Sequence, residues 1–227
     1  MNKVLIIAAH PDDDILGCGG YMSKFSQKMK FRVIFIAEGS SCRYTKDKLT
    51  SKNVKDVILE RNNFGINALK ILGIDNYKFY DFQCGRLDQV PIIDLNKIIE
   101  TEIKNFKPDI VFTHSNSDTN NDHKIVHDST LIATRPPTAK SVKEVYSYEV
   151  LSSSEWKFTK VFIPNYFVKI SFNDLKRKWD ALAEYKTEVK KFPYPRSFEG
   201  IECLARYRGM QSNSIYAEAF KLIRKFD

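Results

Sequence analysis

The stretch that decides the fold is Lys3–Gly20, which reads KVLIIAAHPDDDILGCGG. Within it, Val4–Ala8 is a continuous apolar run of strand length, typical of a parallel strand buried on both faces of a sheet. Pro11 cannot donate a hydrogen bond to a sheet ladder, so the strand ends before it. An apolar-periodic helix is predicted over Ile15–Lys30. The stretch therefore predicts a buried strand, a polar turn and a helix.

Four polar side chains lie in that turn: His10, Asp12, Asp13 and Asp14. Ligands of open α/β sheets bind beyond the carboxyl ends of the strands, so an imidazole and three carboxylates there indicate a cation site. The alternative is an ordinary helix start, because Asp caps helices well and suits the positive end of the helix dipole. That alternative explains one or two of the aspartates, but it does not explain a histidine directly before a proline.

A second polar cluster, residues 114–123 (HSNSDTNNDH), follows a predicted strand over Ile110–Thr113. The four histidines of the chain all lie in the two clusters or just after them: His10, His114, His123 and His127. If the two strands are parallel neighbours, their ends bring His10 and His123 together over the sheet. His127 lies one helical turn after His123, and such a pair could itself hold a metal, but an ordinary polar role is the simpler interpretation.

Strands and helices are predicted to alternate along the rest of the chain. The further strands are Phe31–Ala37, Tyr77–Tyr80, Val145–Val150 and an antiparallel edge strand over Tyr166–Ile170; the further helices are Lys55–Leu72, Ile92–Phe106, Lys124–Ala133, Leu175–Val189 and Ile201–Tyr207. This alternation predicts an α/β fold, a Rossmann-like three-layer sandwich with a mostly parallel central sheet. No linker interrupts the 227 residues, so one domain over residues 1–227 is expected.

Composition excludes several functional classes. The net charge is +8, yet the basic residues are spread among acidic ones and form no nucleic-acid-binding motif. We therefore expect no nucleic-acid partner and attribute the charge to solubility, with attraction of anionic substrates as the alternative. No apolar run approaches the ~20 residues of a membrane span, and no signal-peptide pattern is present, so a cytoplasmic protein is expected. The four cysteines, Cys18, Cys42, Cys84 and Cys203, show no C-x-x-C pair, which indicates neither a disulfide framework nor a thiolate zinc site.

The segment AAHPDD at residues 8–13, followed by ILGCGG at residues 15–20, resembles the signature of the LmbE-like or PIG-L family of zinc-dependent N-acetylglucosaminyl deacetylases. Asp122-His123 resembles the second metal motif of that family. The resemblance implies one zinc ion per chain, held by His10, Asp13 and His123, with Asp12 as general base. Other divalent metals, such as iron or cobalt, are the alternative, because two imidazoles and a carboxylate also bind them. Three protein ligands leave an open position for water, as a catalytic zinc requires.

Three positions depart from the usual family pattern. Members usually have Glu where this chain has Asp14, and commonly have Asp where it has Cys84. Where many members have a histidine that assists the tetrahedral intermediate, this chain has Asn120. An amide can donate a hydrogen bond to an oxyanion but cannot give up a proton at neutral pH. Asp12 would then have to return its proton to the leaving amine.

Three further side chains are candidates for contact with the substrate. Arg61 lies where the family often has a substrate-contacting arginine, although an arginine on a helix is by default solvated or ion-paired. His114 is assigned either a supporting role behind the metal ligands or a role on the substrate side. Trp156 could stack on a sugar ring, with burial in the core as the alternative.

The sequence therefore predicts a deacetylase for an N-acetylated amino sugar, a sugar nucleotide or a glycan precursor. One alternative is hydrolysis of another, non-sugar acylated amine. The other is a nucleotide-binding module in which Gly17, Gly19 and Gly20 form a phosphate loop. Their spacing lacks the G-x-G-x-x-G pattern, and three neighbouring aspartates would repel a phosphate without a metal. The sequence indicates neither the exact substrate nor the oligomeric state.

Overall fold

The protein is described here by a computed structural model covering residues 1–137 and 139–226. Its strands are β1 (Lys3–Ala8), β2 (Lys30–Ala37), β3 (Tyr77–Phe82), β4 (Ile110–His114), β5 (Glu144–Tyr148), β6 (Tyr166–Ile170) and β7 (Tyr216–Lys225). Its α-helices are α1 (Asp13–Phe25), α2 (Lys52–Leu72), α3 (Ile92–Phe106), α4 (Asn121–Ala133), α5 (Phe172–Ala183) and α6 (Phe198–Gln211).

The strands form one sheet in the order β3-β2-β1-β4-β5-β7-β6. The first five strands in this order pair in parallel, whereas β7 runs antiparallel to both β5 and β6. The central pair is β1 with β4, in a register that sets Val4 beside Ile110 and Ile6 beside Phe112. The carboxyl ends of β1 and β4 therefore lie side by side, and each leads directly into one of the two polar clusters.

Alternate residues of β1 enter two separate cores. Val4, Ile6 and Ala8 pack on the face covered by α1, α2, α5 and α6. Leu5, Ile7 and Ala9 pack on the opposite face, against α3 and α4. Burial on both faces explains why the strand is apolar without alternation, and it confirms the predicted three-layer α/β sandwich. Among the described helices, none has the length and apolar character needed to cross a membrane.

Helix α3 and strand β6 have the predicted bounds, and β6 is the predicted antiparallel edge. Strand β7 was not predicted. Its first residues include two alanines and a glutamate, which have weak strand propensity, and its pairing partners are distant in the sequence. Helix α5 ends at Ala183 rather than at Val189, because the chain then turns and carries Glu188 to the carboxyl edge of the sheet.

The glycines that could have formed a phosphate loop lie inside α1 and not in the loop before it. A Cβ atom on Gly17 would lie 2.2 Å from the ring of Tyr148, and one on Gly19 would lie 2.7 Å from the Lys178 side chain. These glycines allow α1 to pack closely against the sheet and α5. The nucleotide-binding alternative therefore loses the feature on which it rested.

Candidate metal centre

The turn between β1 and α1 aims its carboxylates at the site instead of capping the helix. Asp12 occupies the N-cap position of α1 with a φ angle of 124°, and its side chain makes no capping hydrogen bond. The His10 backbone N–H donates to Asp13 Oδ2 at 2.9 Å, which fixes the Asp13 side chain at the start of the helix. The capping interpretation is therefore wrong for Asp12, whereas Asp13 and Asp14 lie in the first turn of α1, where a carboxylate suits the helix dipole.

Two of the predicted ligand histidines converge on one carboxylate oxygen. Asp13 Oδ2 lies 3.2 Å from His10 Nδ1 and 3.2 Å from His123 Nε2. His123 comes from the first turn of α4, and the pairing of β1 with β4 brings it to this point. The ligand atoms of His10, Asp13 and His123 lie within 4.8 Å of one another, and the three residues are buried.

The electrostatics of this cluster favour a cation. Burial lowers the pKa of His10, but its hydrogen bonds to Asp122 and Asp13 outweigh burial and raise the value to about 9. Burial likewise opposes the charge on His123, yet Asp13 and Asp118 raise its pKa to about 10. The pKa of Asp13 is held well below its usual range against burial, chiefly by His123 and His10. Two borderline imidazoles and a carboxylate, all buried and pre-arranged, fit a zinc ion.

Each ligand histidine is held from behind by a second carboxylate. His10 Nε2 lies 3.0 Å from Asp122 Oδ2, and His123 Nδ1 lies 3.1 Å from Asp118 Oδ2. Asp122 is fixed in turn by the backbone N–H groups of Gly85 and Leu87, which donate at 2.6 and 3.2 Å. Such carboxylate–histidine pairs set the orientation and basicity of a ligand ring.

The other two histidines support the cluster. His114 is fully buried, stacks on His123 with ring centroids 4.0 Å apart, and accepts the Ala9 backbone N–H at Nε2 over 2.8 Å. This geometry favours the supporting role over the substrate-side role. His127 bonds through Nδ1 to the His114 carbonyl oxygen at 2.7 Å, the ordinary polar role expected for it.

Asp12 lies beside the cluster between two arginines. Its Oδ2 atom is 3.0 Å from Arg61 Nη2 and also pairs with Arg196 Nη1. Its Oδ1 atom is buried and has no hydrogen-bond partner within the described chain. Burial raises the pKa of the Asp12 carboxyl, while Arg196 and Arg61 act in the opposite direction. One oxygen is thus anchored, and the other is available to a ligand or a water molecule.

Arg61 is buried and ion-paired, not solvated. Its Nε atom donates to the Pro11 carbonyl oxygen at 3.1 Å, and Nη1 lies 2.6 Å from Glu188 Oε1. Glu188 also pairs with Arg196 at 3.1 Å and Arg43 at 2.7 Å. A Cβ on Gly39 would lie 2.6 Å from Arg61 Nε, so a glycine is required at that position for the arginine to reach the site.

Asn120 is the N-cap of α4, where its Oδ1 accepts the Asp122 backbone N–H at 2.9 Å. The cap uses only the acceptor of the amide and leaves the Nδ2 donor for another partner. Trp156 is 58% exposed, so the buried alternative for it is wrong. It ends a short 3-10 turn whose Ser154 hydroxyl donates to Asp118 Oδ2 at 2.9 Å, which ties the Trp156 segment to the metal centre.

Residues 5–134 match the PIG-L family, described as GlcNAc-PI de-N-acetylase, and this match covers more than half of the chain. The chain belongs to the PIG-L family. The matched region contains both polar clusters, and the resemblance carried by His10-Pro11-Asp12-Asp13 and Asp122-His123 is thereby confirmed.

This PIG-L family protein is similar in sequence or fold to three further proteins. An uncharacterized deacetylase, YaiS of Escherichia coli K12, is 29% identical over 189 residues, which span 81% of this chain and 90% of that protein. The N,N'-diacetylchitobiose deacetylase of Pyrococcus horikoshii superposes with a TM-score of 0.72 at 19% identity, over 98% of this chain and 84% of that one. GalB, a 4-carboxy-2-hydroxymuconate hydratase of Pseudomonas putida KT2440, superposes with a TM-score of 0.77 at 21% identity, over 100% of this chain and 98% of that one. The fold thus serves more than one chemistry.

Sequence reasoning missed three residues that pair with the predicted site residues: Asp118, Glu188 and Arg196. Asp118 was visible in the second polar cluster, next to the motif that supplies His123. Arg196 and Glu188 lie more than 170 residues from Asp12, and only the folded chain brings them to the site. Asp14 is fully buried with both carboxylate oxygens unpaired among the described residues, and burial raises its pKa to about 8.

Proposed function

We propose that this protein is a zinc-dependent N-deacetylase that hydrolyses the acetamide of an N-acetylated amino sugar. The observation that carries the proposal is the convergence of His10 Nδ1 and His123 Nε2 on Asp13 Oδ2, both at 3.2 Å, beside the half-free carboxylate of Asp12. Family membership supports the reaction class. The chitobiose deacetylase supports an N-acetylated sugar as the kind of substrate, which includes sugar nucleotides and glycan precursors.

His10, Asp13 and His123 would hold the zinc ion, with Asp122 and Asp118 orienting the two imidazoles. A zinc ion bound there supplies Lewis acidity, which lowers the pKa of water to ~7 and polarises a carbonyl oxygen. The resident imidazolium protons would leave when the metal binds, because ligand nitrogens must be deprotonated. The anionic ring formed by Asp13, Asp118 and Asp122 stabilises the positive charge in both states.

Asp12 acts as the general base. Its free Oδ1 atom accepts the proton of the attacking water, while Arg61 and Arg196 hold Oδ2 and so fix the direction of Oδ1. A C–O bond forms at the acetyl carbon, and the C–N bond breaks as Asp12 returns the proton to nitrogen. The products are acetate and a free amine. A buried, positioned carboxylate contributes about 10²–10⁴-fold by such proton transfer.

Two other side chains assist in this proposal. Asn120 donates from Nδ2 to the carbonyl oxygen as negative charge develops on it, while its Oδ1 remains the cap of α4. Trp156 offers an exposed aromatic face on the segment anchored to Asp118, and such a face suits the C–H surface of a sugar ring. Arg61 acts through Asp12 instead of contacting the substrate, because its guanidinium is occupied by Asp12, Glu188 and Pro11.

The test is release of acetate and free amine, in equal amounts, from a panel of N-acetylated sugars, sugar nucleotides and non-sugar acylated amines. Purified protein is assayed as isolated, after chelation, and after chelation followed by one equivalent of Zn²⁺. We expect activity on a sugar, its loss on chelation and its return with zinc. Amine release only from non-sugar amides would show that the substrate is a non-sugar acylated amine. Full activity of metal-free protein would overturn the mechanism.

A further inference from the structure

A second set of metal-binding atoms lies on the far side of the His10 ring. His10, Cys84 and Asp122 each offer one ligand atom within 4.8 Å of the others, and the three residues are buried. We propose that this set, the Cys84 cluster, is a second metal site for a thiophilic divalent cation such as Zn²⁺ or Cd²⁺, and that its occupation inhibits the enzyme. The proposal rests on the proposed function only in that His10 is shared between the two sites.

The donor atoms suit such a cation. The cluster offers an imidazole nitrogen, a carboxylate oxygen and a thiolate sulfur, a set that favours zinc and softer metals over magnesium or calcium. His10 Nε2 and Asp122 Oδ2 are 3.0 Å apart. Two ligands at ~2.0–2.1 Å from a tetrahedral zinc lie about 3.3 Å from each other, so the pair needs to open only slightly. A metal here takes the place of the proton that the two residues share.

The loops around Cys84 bring a second thiol to the rim of the cluster. Glu38 accepts the backbone N–H groups of Cys84 at 2.8 Å and of Ser41 at 2.9 Å, and so ties the two cysteine-bearing loops together. Gly85 has a φ angle of 72°, and a Cβ on it would lie 3.2 Å from Cys42 Cβ. Cys42 interacts with the Cys84 thiol and is itself exposed, so it gives an incoming cation a first contact from solvent. The proposal thus departs from the expectation, drawn from the cysteine spacing, that no thiolate zinc site is indicated.

Binding at the Cys84 cluster acts directly on the proposed catalytic metal. Asp122 now holds the His10 ring through Nε2 while Nδ1 faces Asp13. A cation between Nε2 and Asp122 removes that hydrogen bond, and the Cys84 thiol and the His10 Nε2–H each release a proton. His10 then coordinates two cations, one on each ring nitrogen, and is a poorer ligand for the catalytic metal. Excess metal therefore lowers turnover, whereas one equivalent supports it.

Cadmium titration of metal-free protein tests this site, because thiolate-to-cadmium charge transfer absorbs in the ultraviolet. We expect the first equivalent of Cd²⁺ to bind with little such absorption and the second equivalent of Cd²⁺ to bind with strong absorption. Cys84→Ser should keep the first equivalent and lose the second together with its absorption. Cys203→Ser, which changes an exposed cysteine on α6, should behave as the wild type. A single equivalent in the wild type, or unchanged absorption in Cys84→Ser, would overturn the proposal.

X-ray absorption at the zinc edge tests the wild-type protein without any variant. A sulfur neighbour at ~2.3 Å should be present with two equivalents of zinc and absent with one. If two equivalents show only nitrogen and oxygen neighbours, the Cys84 cluster is not a metal site. Amine release is measured on the same samples, so the two proposals can fail separately. If only the deacetylase proposal is wrong, the cadmium absorption and the sulfur neighbour are still observed, but the protein with one equivalent of zinc shows no turnover.

Discussion

Asp118 Oδ2 lies 3.1 Å from His123 Nδ1, on the opposite side of the ring from Asp13. In the proposed site, this ion pair would favour the tautomer that leaves Nε2 for the metal. We expect Asp118→Asn to weaken zinc affinity by about 10–100-fold, the usual cost of losing such a partner, with the fold intact. Competition with a zinc-binding dye measures this, and Asp128→Asn on the exposed face of α4 is the matched control. Equal affinities for Asp118→Asn and the wild type would assign Asp118 to the Trp156 segment alone.

The proposed mechanism gives the adjacent residues Asp12 and Asp13 separate roles, as general base and as metal ligand. Asp12→Asn should retain one equivalent of zinc and lose about 10²–10⁴-fold in kcat, because an amide cannot accept the proton of water. Asp13→Asn should instead lose the metal, since His10 and His123 both converge on its carboxylate. Elemental analysis alongside steady-state kinetics separates the two outcomes. Near-normal turnover in Asp12→Asn would remove Asp12 as the base.

If Asp12 is the general base, Arg196 should influence the acid limb of the pH–rate profile. Its guanidinium lowers the pKa of Asp12 against the effect of burial. Removing this cation in Arg196→Met should raise that pKa, so the carboxylate stays protonated to higher pH. The acid limb of kcat/KM should then move to higher pH, because an opposite charge beside the carboxylate is lost. Arg206→Met, which removes contacts of α6 with Glu202 and Tyr216 far from the metal centre, should leave the profile unchanged. An unshifted limb in Arg196→Met would mean that another group is titrating.

Asn120 has a cap role in the structure and a donor role in the proposed mechanism. Asn120→Ala removes both, and it should cost about 0.5–2 kcal/mol of stability and about 10–10³-fold in kcat. Asn120→Asp keeps the cap acceptor but has no amide donor. We expect its melting temperature to stay near that of the wild type while kcat falls. If kcat survives in Asn120→Ala although the melting temperature falls, Asn120 is a cap and nothing more.

Glu102 contributes stability that depends on pH, far from the metal centre. Burial opposes its charge, but hydrogen bonds from Arg32 and Tyr80 outweigh burial and lower its pKa. A carboxylate whose pKa is lower in the folded state stabilises the fold at pH values above its pKa in the unfolded chain, ~4.3. This stabilisation is lost as the pH falls through the pKa of the folded state. Glu102→Gln should therefore cost about 1.5–3 kcal/mol at pH 7 and much less near pH 3. Urea unfolding at both pH values measures the difference, with Glu100→Gln on the same helix as control.

The parts of the fold that the sequence predicted are those with local signals. Val4–Ala8 and Ile110–Thr113 are apolar without interruption, and α3 has an amphipathic stripe that ends at Lys107-Pro108. Strand β7 lacks such a signal, because its place in the sheet is set by partners in β5 and β6. Helix α5 was predicted too long for the same kind of reason, since the ion pairs of Glu188 are long-range contacts.

The candidate ligands His10, Asp13 and His123 could be named from the sequence because two short motifs carry them, and the parallel pairing of β1 with β4 followed from the fold class. The carboxylates and arginines behind them could not be named in this way. The ion pair of Arg196 with Asp12 joins residues 184 positions apart, and Cys42 and Cys84 lie 42 residues apart without any recognisable spacing. Contacts of this kind are fixed by tertiary packing and have no signature in a single sequence.

The insertion of β7 between β5 and β6 bears on how the protein is made. The two strands that flank β7 are synthesised well before it, and neither can complete its hydrogen bonds until residues 216–225 have left the ribosome. Glu218 of β7 also accepts the backbone N–H groups of Gly20 and Tyr21 in α1, so these two contacts of the first helix form only after β7 has been made. The nascent chain can form its β1–β5 half early, but the sheet closes only after translation has passed Lys225.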